Sequence, residues 1–468
     1  GPDMSFGSFA CAQVVSNYPL QTGRPYREGD PICDRVSVQL FENRVVAAVA
    51  DGCNWGPMPR KAAKRACKAY TQFMSEHHRD VTSVKAAGTV ICAALATAHK
   101  AIQEGATELG PDPGTTTICA GVLLEIDYAV GLPEGRDVSS AAAAAALASE
   151  WDGSPFVWVF ASLGDCKCFH YSRAKRVVTD LTSGNRSGLL DPTDPGGRIG
   201  GIAAPRLGNF TISFMPCEEG DLVSLMSDGV HDNLDPVQRG KPPSYFNEEC
   251  DDWAAVGPIR TALLQTQYME DFILNKIIGD EEQPTCQLLT HGLVANSVET
   301  TTASRAFLES HPKSKLEVDY SKFPGKLDHA SCVTFRASKV TLSYEEWMGN
   351  SILPTPGHDF DSMLADLADR ERQVTWRTEA VVGSAASPKR RSASPESSSP
   401  QSSSSPQSPS SPKASSDNTE TTEITELDFG DLDASDVFAD ADIVEAVRNL
   451  RRITLTKDQL VPVAGKEP

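Results

Sequence analysis

An unbroken apolar run, Val45-Val46-Ala47-Ala48-Val49-Ala50, stops abruptly at Asp51-Gly52. A valine-rich run without alternation predicts a strand buried on both faces. Upstream, Asp34-Arg35-Val36-Ser37-Val38-Gln39-Leu40 alternates at period two and Asn43 turns the chain, so the two segments read as a hairpin with Asp30 and Asp34 just before it. Phe9 to Val15 reads as an edge strand. Downstream, prolines at 57 and 59 open a helix whose apolar face is Ala63, Ala66, Tyr70, Phe73 and Met74. A second helix over 83–104 carries Val84, Ala87, Ile91, Leu95, Ala98 and Ile102 on one side. The pair reads as an antiparallel helical layer over a sheet.

The strand pattern resumes at Thr115 to Tyr128, and residues 131–154, a charged turn and a run of alanines, read as an insertion between strands. Phe156 to Ser162 runs into Leu163-Gly164-Asp165, and Lys167 to Tyr171 is expected to return antiparallel. After a Gly-, Pro- and Asp-rich loop over 182–209, Phe210 to Phe214 and Asp221 to Met226 read as another hairpin, ending in Ser227-Asp228-Gly229. Helical segments over 252–278 and 283–309 precede a last strand, Ser331 to Arg336, which follows Gly325-Lys326-Leu327-Asp328-His329. Antiparallel strands with helices in pairs favour an α+β layered fold over a doubly wound parallel sheet. One folded body is expected over 4–345 and an extension over 346–382. A Ser/Pro-rich linker over 383–416 cannot bury enough apolar surface to fold. The acidic tail, 417–468, has a pattern that suggests a short amphipathic helix with Val444, Val447, Leu450 and Ile453 on one face, expected to be either a docking element for a protein partner or a weakly helical solvated tail.

The net charge of −20 argues against nucleic acid or an anionic membrane as a partner. No apolar run approaches the roughly 20 residues of a membrane-spanning helix. Twelve cysteines without CxxC pairs, and no signal peptide, read as reduced thiols of an intracellular, cytoplasmic protein, with Lys389-Arg390-Arg391 as a small nuclear-targeting candidate. Gly1-Pro2-Asp3 before Met4 has the look of a remnant left by tag cleavage.

Acids recur where buried strands end or begin: Asp34, Asp51, Asp165, Asp228 and Asp328. Ionised carboxylates gathered near a core need cations to neutralise them. No His or Cys set has zinc spacing, and oxygen-only ligands suit hard ions such as Mg²⁺ or Mn²⁺.

The order and context of these acids, from about Phe9 to Ser338, resemble the metal-dependent protein phosphatases, the protein phosphatase 2C family. Ala50-Asp51-Gly52 is similar to the family's strand-terminal Asp-Gly, and Gly114-Thr115-Thr116-Thr117 to its Gly-x-Thr segment. Leu163-Gly164-Asp165-Cys166-Lys167 resembles its Gly-Asp-Ser/Cys-Arg turn. Asp221 through Ser227-Asp228-Gly229-Val230-His231-Asp232 is the strongest match, and Asp328-His329-Ala330-Ser331-Cys332-Val333 resembles the closing Asp-Asn-x-Thr motif. The resemblance implies a four-layer α-β-β-α sandwich of two antiparallel sheets flanked by helix pairs. It implies hydrolysis of phosphoserine and phosphothreonine in phosphoprotein substrates by a metal-activated water. It also implies two Mg²⁺ or Mn²⁺ ions held by Asp34, Asp51, the Gly52 carbonyl, Asp228 and Asp328, with a third, weaker ion at Asp165. Arg27, with Arg24 close by, is the candidate for the family's phosphate-binding arginine, and Asp34 for a catalytic role. The sequence departs from the family at Cys33-Asp34, where Glu-Asp is usual, so the acid supporting a metal-bound water is missing or replaced by Asp30. It departs again at Cys53-Asn54-Trp55-Gly56, similar to a divergent branch with Asp-Gly-Cys-Asn-Trp-Gly. The alternative is a phosphatase-fold scaffold that binds partners with little or no turnover.

Overall fold

A computed structural model describes residues 3–105, 112–126, 153–186 and 188–340. All but the last two residues of the expected insertion, and the expected extension, linker and acidic tail, lie outside the described residues.

The valine-rich run forms β4 (Arg44–Ala50), buried along nearly its whole length. It pairs antiparallel with β3 (Arg35–Phe41) on one side and with β6 (Ile118–Glu125) on the other. With β7 (Phe156–Leu163) and β11 (Thr211–Cys217) these make a five-stranded sheet in the order β11-β7-β6-β4-β3. A second, six-stranded sheet runs β1-β2-β13-β12-β8-β9. Its strands are β1 (Asp3–Phe6), β2 (Ala10–Ser16), β8 (Lys167–Ser172), β9 (Val177–Asp180), β12 (Leu222–Met226) and β13 (His329–Arg336).

Strand alternation sorts side chains into three cores. Val46, Ala48 and Ala50 face α1 (Pro57–His77) and α2 (Val84–Glu104), against Ala63, Ala66, Tyr70, Ile91 and Leu95. Val45, Ala47 and Val49 point the other way, into the space between the sheets with Trp158, Phe160, Val223, Leu225 and Phe335. The outer face of the six-stranded sheet, through Phe169, Tyr171, Leu222 and Met226, packs on α3 (Pro258–Phe272) and α4 (Cys286–Thr300). The result is the expected α-β-β-α sandwich. Trp158 at its centre is fully buried, with Phe335 4.8 Å away between ring centroids; burying a side chain of this kind stabilises by roughly 2–3 kcal/mol.

Three local expectations are corrected. The strand near Phe9–Val15 is interior, paired on one side with β1 (which includes Asp3) and on the other with β13. The step from β7 to β8 is not a hairpin but a crossing from one sheet to the other, and so is the step from β11 to β12. Every residue of β7 and β8 is buried, so neither strand has a polar face to show which sheet it joins. Gly164 and Gly220, at φ 99° and 94°, mark the reversals but not their destination. Finally, Thr115 to Tyr128 is not one strand: β5 (Thr115–Thr116) pairs with β10 (Ile199–Gly200) as a separate ribbon.

Candidate metal centre

Because both sheets are antiparallel and stacked, the C-terminal ends of β4, β7 and β12 meet the N-terminal ends of β3, β8 and β13 at one edge of the sandwich. Each carries an acid. The Asp51 carbonyl accepts from Thr117 N–H (2.9 Å) and from the Thr116 hydroxyl (2.7 Å), tying the end of β4 to the start of β6. Ser227 and Ser331 exchange hydrogen bonds, with Ser227 N–H donating to the Ser331 carbonyl and Ser331 N–H to the Ser227 hydroxyl, each at 3.0 Å. That clamp sets Asp228 beside Asp328. The Asp328 carbonyl accepts from Asn17 N–H at 2.7 Å.

Both Asp-Gly glycines are there for space, not for backbone angle. A Cβ on Gly52 would lie 2.6 Å from the Pro59 carbonyl oxygen of α1, and one on Gly229 would lie 1.9 Å from the His329 carbonyl oxygen.

Asp51, Asp165, Asp228 and Asp328 line one cavity of about 220 Å³, together with Gly52, Lys326, His329 and Arg198. Trp55 and Asn54 form part of the mouth, and Pro192 to Pro195 supply another wall. Trp55 Nε1–H donates to the Tyr18 hydroxyl (2.7 Å), which donates to Asp328 Oδ1 (3.0 Å), so the exposed indole is linked to a floor carboxylate.

The electrostatics are lopsided. Lys326 Nζ contacts Asp228 Oδ2, lies 2.9 Å from Asp328 Oδ2 and 3.3 Å from Asp232 Oδ2. Arg186 pairs with Asp165 at 2.6 Å and Asp232 at 2.8 Å. Burial opposes ionisation of Asp232, yet Arg186 and Lys326 hold its carboxyl well below the usual range. Among the described residues Asp51 has no such partner: burial, then Asp34, Asp228 and Asp328, push it well above the ordinary carboxylate value. Burial and Asp328 raise Asp34 to about 7. Burial raises Asp328 to about 6, with Lys326 opposing the rise. Among the described residues six carboxylates (34, 51, 165, 228, 232, 328) have two cations in contact, Lys326 and Arg186, and even with Arg198 on the same cavity full ionisation would leave three negative charges uncompensated.

Asp34 sits fully buried beneath the cavity floor, its Oδ2 accepting from Ser331 Oγ at 2.8 Å. Asp30 is exposed and its Oδ2 accepts from Arg27 N–H (2.7 Å), so it does not stand in for the family's missing acid. Cys33 does not either: burial pushes its thiol up to about 11, leaving it uncharged at neutral pH. Neither Arg27 nor Arg24 lines the cavity. The Arg27 guanidinium donates to the Tyr18 carbonyl at 2.7 Å, with Tyr18 standing between it and the floor, and Arg24 contacts Tyr26 on the surface. The arginine that does reach the cavity is Arg198. It comes from the 182–209 loop, whose composition has no readable period, and only the neighbouring Gly196-Gly197 hints at a tight approach. Lys326 was legible only as a basic residue two positions before Asp328. His329 is no surface residue. It is buried, its Nδ1 accepts from Cys33 N–H (3.4 Å), and burial lowers it to about 4, so it is a neutral ring.

Among the described residues no donor is directed at the buried Asp34 Oδ1 and Asp228 Oδ1. Orphaned carboxylate oxygens, surplus negative charge and an all-oxygen donor set fit a hard divalent cation. Among the described residues no three acids, histidines or cysteines converge as a formed metal site; the Lys326 ammonium stands among the carboxylates.

Residues 24–257, half of the chain, match the Protein phosphatase 2C family. A PP2C-like domain-containing protein of Drosophila melanogaster, CG9801, is 28% identical over 235 residues, 49% of this chain and 30% of that protein, so the match spans under a third of the relative's length. Among solved structures, the photosystem II phosphatase PBCP aligns over 71% of this chain and 99% of its own, with 11% identity and a TM-score of 0.40. The Ser-Thr phosphatase MsPP of Mycobacterium smegmatis aligns over 71% and 100%, with 13% identity and a TM-score of 0.36. With half its length matched, and with two antiparallel sheets between helix pairs, the chain belongs to the protein phosphatase 2C family.

Proposed function

We propose that this chain hydrolyses phosphoserine and phosphothreonine monoesters in proteins at the carboxylate-floored cavity, with Mg²⁺ or Mn²⁺ as cofactor. The observation that carries the reading is the convergence of Asp51, Asp165, Asp228 and Asp328 on one cavity, with Asp34 beneath it and more negative charge than the chain's own cations neutralise. Asp51, the Gly52 carbonyl, Asp228 and Asp328 are the residues that would hold a divalent ion. When bound, such an ion supplies Lewis-acid polarisation of the phosphoryl group and a water of lowered pKa.

The chain's own residues do the rest. Arg198, whose side chain makes no ion pair among the described residues, offers a guanidinium to the phosphoryl oxygens. Trp55 and the Pro192–Pro195 wall narrow the mouth and limit solvent. A cavity of about 220 Å³ suits the phosphorylated end of a side chain better than a nucleotide, since small-molecule pockets run from ~300 Å³ upwards.

Arg198→Ala is expected to lower kcat/KM roughly 10- to 100-fold, the weight of one or two charge-assisted hydrogen bonds. Arg27→Ala should change it by less than about threefold, since only a backbone carbonyl loses its partner. Steady-state kinetics on one phosphopeptide compares the two, and the opposite ranking would return the phosphate role to Arg27.

A second reading, a scaffold with little turnover, draws support from the exposed Asp30, the uncharged Cys33 and the lysine among the carboxylates. Phosphate release from phosphopeptides by the purified chain with Mn²⁺ separates the two, and a protein inert across metals and peptides leaves only the scaffold.

A further inference from the structure

The cation contacts are not spread evenly over the six carboxylates. Asp228, Asp232 and Asp328 share the Lys326 ammonium, and Asp165 and Asp232 share the Arg186 guanidinium. Among the described residues Asp51 has no cation in contact, and Asp34 is met by hydroxyls, those of Ser331 and Ser227, rather than by a cation. The unmet charge therefore lies on the Asp51 side of the centre.

Lys326 is not a surface lysine that has swung inward. Its N–H donates to Asn233 Oδ1 (3.1 Å) and its carbonyl accepts from Asn233 Nδ2 (3.1 Å). The same Nδ2 donates to the Gly229 carbonyl at 2.8 Å, and Asn233 is fully buried. One amide thus fixes the Lys326 backbone to the turn that carries Asp228. Next to it, Gly325 at φ 86° packs so closely that a Cβ would lie 2.3 Å from Asn233 Oδ1. At the far end, Nζ also donates to the Pro192 carbonyl (3.1 Å), so both backbone and ammonium are held.

We infer that Lys326 is a resident cation of this centre: its ammonium takes the place of one divalent ion between Asp228 and Asp328, so the chain binds a single divalent ion, on the Asp51–Gly52 side. The inference rests on the proposed metal-dependent centre. The ammonium takes Asp228 Oδ2 and Asp328 Oδ2, and Asp328 Oδ1 already accepts from the Tyr18 hydroxyl and from His329 N–H, so a second ion on that side would find only Asp228 Oδ1 without a donor among the described residues. Arg186 takes Asp165 Oδ2 in the same way, so a third ion there would have to share that carboxylate with a guanidinium.

The test counts Mn²⁺ bound by the full chain, with free Mn²⁺ followed by electron paramagnetic resonance and calorimetry in parallel. The unaltered chain is expected to bind one ion, Lys326→Met two, and Lys326→Arg one. Circular dichroism checks the fold of each variant. Should Lys326→Met fail to fold without metal, Lys326→Gln replaces it with the same expectation of two ions. Two ions on the unaltered chain, or one on both neutral variants, would overturn the role given to Lys326 while leaving the metal centre standing. No ion on any of these proteins would instead overturn the metal centre itself.

Discussion

Asp51→Asn is expected to abolish phosphopeptide hydrolysis and, in metal-free buffer, to raise the melting temperature of the chain. Both effects follow from the same burial and crowding. Among the described residues Asp51 is the floor carboxylate with no cation in contact, and burial first, then Asp34, Asp228 and Asp328, oppose its ionisation. The amide keeps the shape but removes a buried carboxyl whose ionisation the site opposes, so the metal-free fold gains. Without metal, the relief should be about 1–3 kcal/mol, or roughly 2–6 °C for a folded region of this size. In the presence of Mn²⁺ the ranking should reverse. The unaltered chain gains RT ln(1 + [L]/Kd), about 2.7 kcal/mol at a hundredfold excess over Kd, and the variant, short of a ligand, gains little. Loss of turnover should exceed about 10³-fold, the scale for removing a principal electrostatic element of a catalytic site. Thermal melts with EDTA and with Mn²⁺, beside a phosphate-release assay, read all of this. An Asp51→Asn protein less stable than the unaltered one without metal would show that the carboxylates are not in surplus.

Gly229→Ala is the second large effect, and it acts on the fold. The added Cβ would meet the His329 carbonyl oxygen at 1.9 Å and its carbon at 2.7 Å. Both are backbone atoms of β13, so relief requires moving the turn after β12 away from the strand that presents Asp328. Overpacking usually costs 1–3 kcal/mol, and a clash against backbone sits at or above the upper end, roughly 3 kcal/mol or more. Gly153→Ala is the control. That glycine has φ 73° but nothing within 4 Å of an added Cβ, so only the backbone penalty of about 1 kcal/mol applies. Chemical denaturation of the two variants should separate them clearly. Equal losses would mean that the Ser227–Ser331 clamp yields easily, and the close approach of Asp228 to Asp328 would then not depend on Gly229.

The helical layer and the acid-bearing strand ends were legible because their signals are local. Ser83 before the Val84–Ile102 stripe is a helix N-cap, its hydroxyl accepting from Ala86 N–H. A buried run broken by Asp51-Gly52 can be read without knowing its neighbours. The sheet partners of β7, β8 and β12 could not be read this way. All three are buried throughout, and in a sandwich the two sheets offer a fully apolar strand the same environment. The basic side of the site was hidden for a different reason. Arg27 lies close to the first motif in sequence, but the turn at Asp30 anchors it to Tyr18, outside the cavity. Arg198 arrives from a loop more than 140 residues beyond Asp51, delivered by the β10–β5 ribbon. Lys326 gains its meaning only when Asn233 pins its backbone to the Asp228 turn. Acids at strand ends announce themselves by position; the cations that answer them are set by tertiary contacts.

The most direct test of the central claim is phosphate release from a phosphothreonine peptide by the purified full chain, with Mn²⁺ and again with EDTA. The reading predicts release that needs Mn²⁺, stops with EDTA and is lost in Asp51→Asn. A folded protein that binds Mn²⁺ yet releases no phosphate from any of a broad set of phosphopeptides would contradict it.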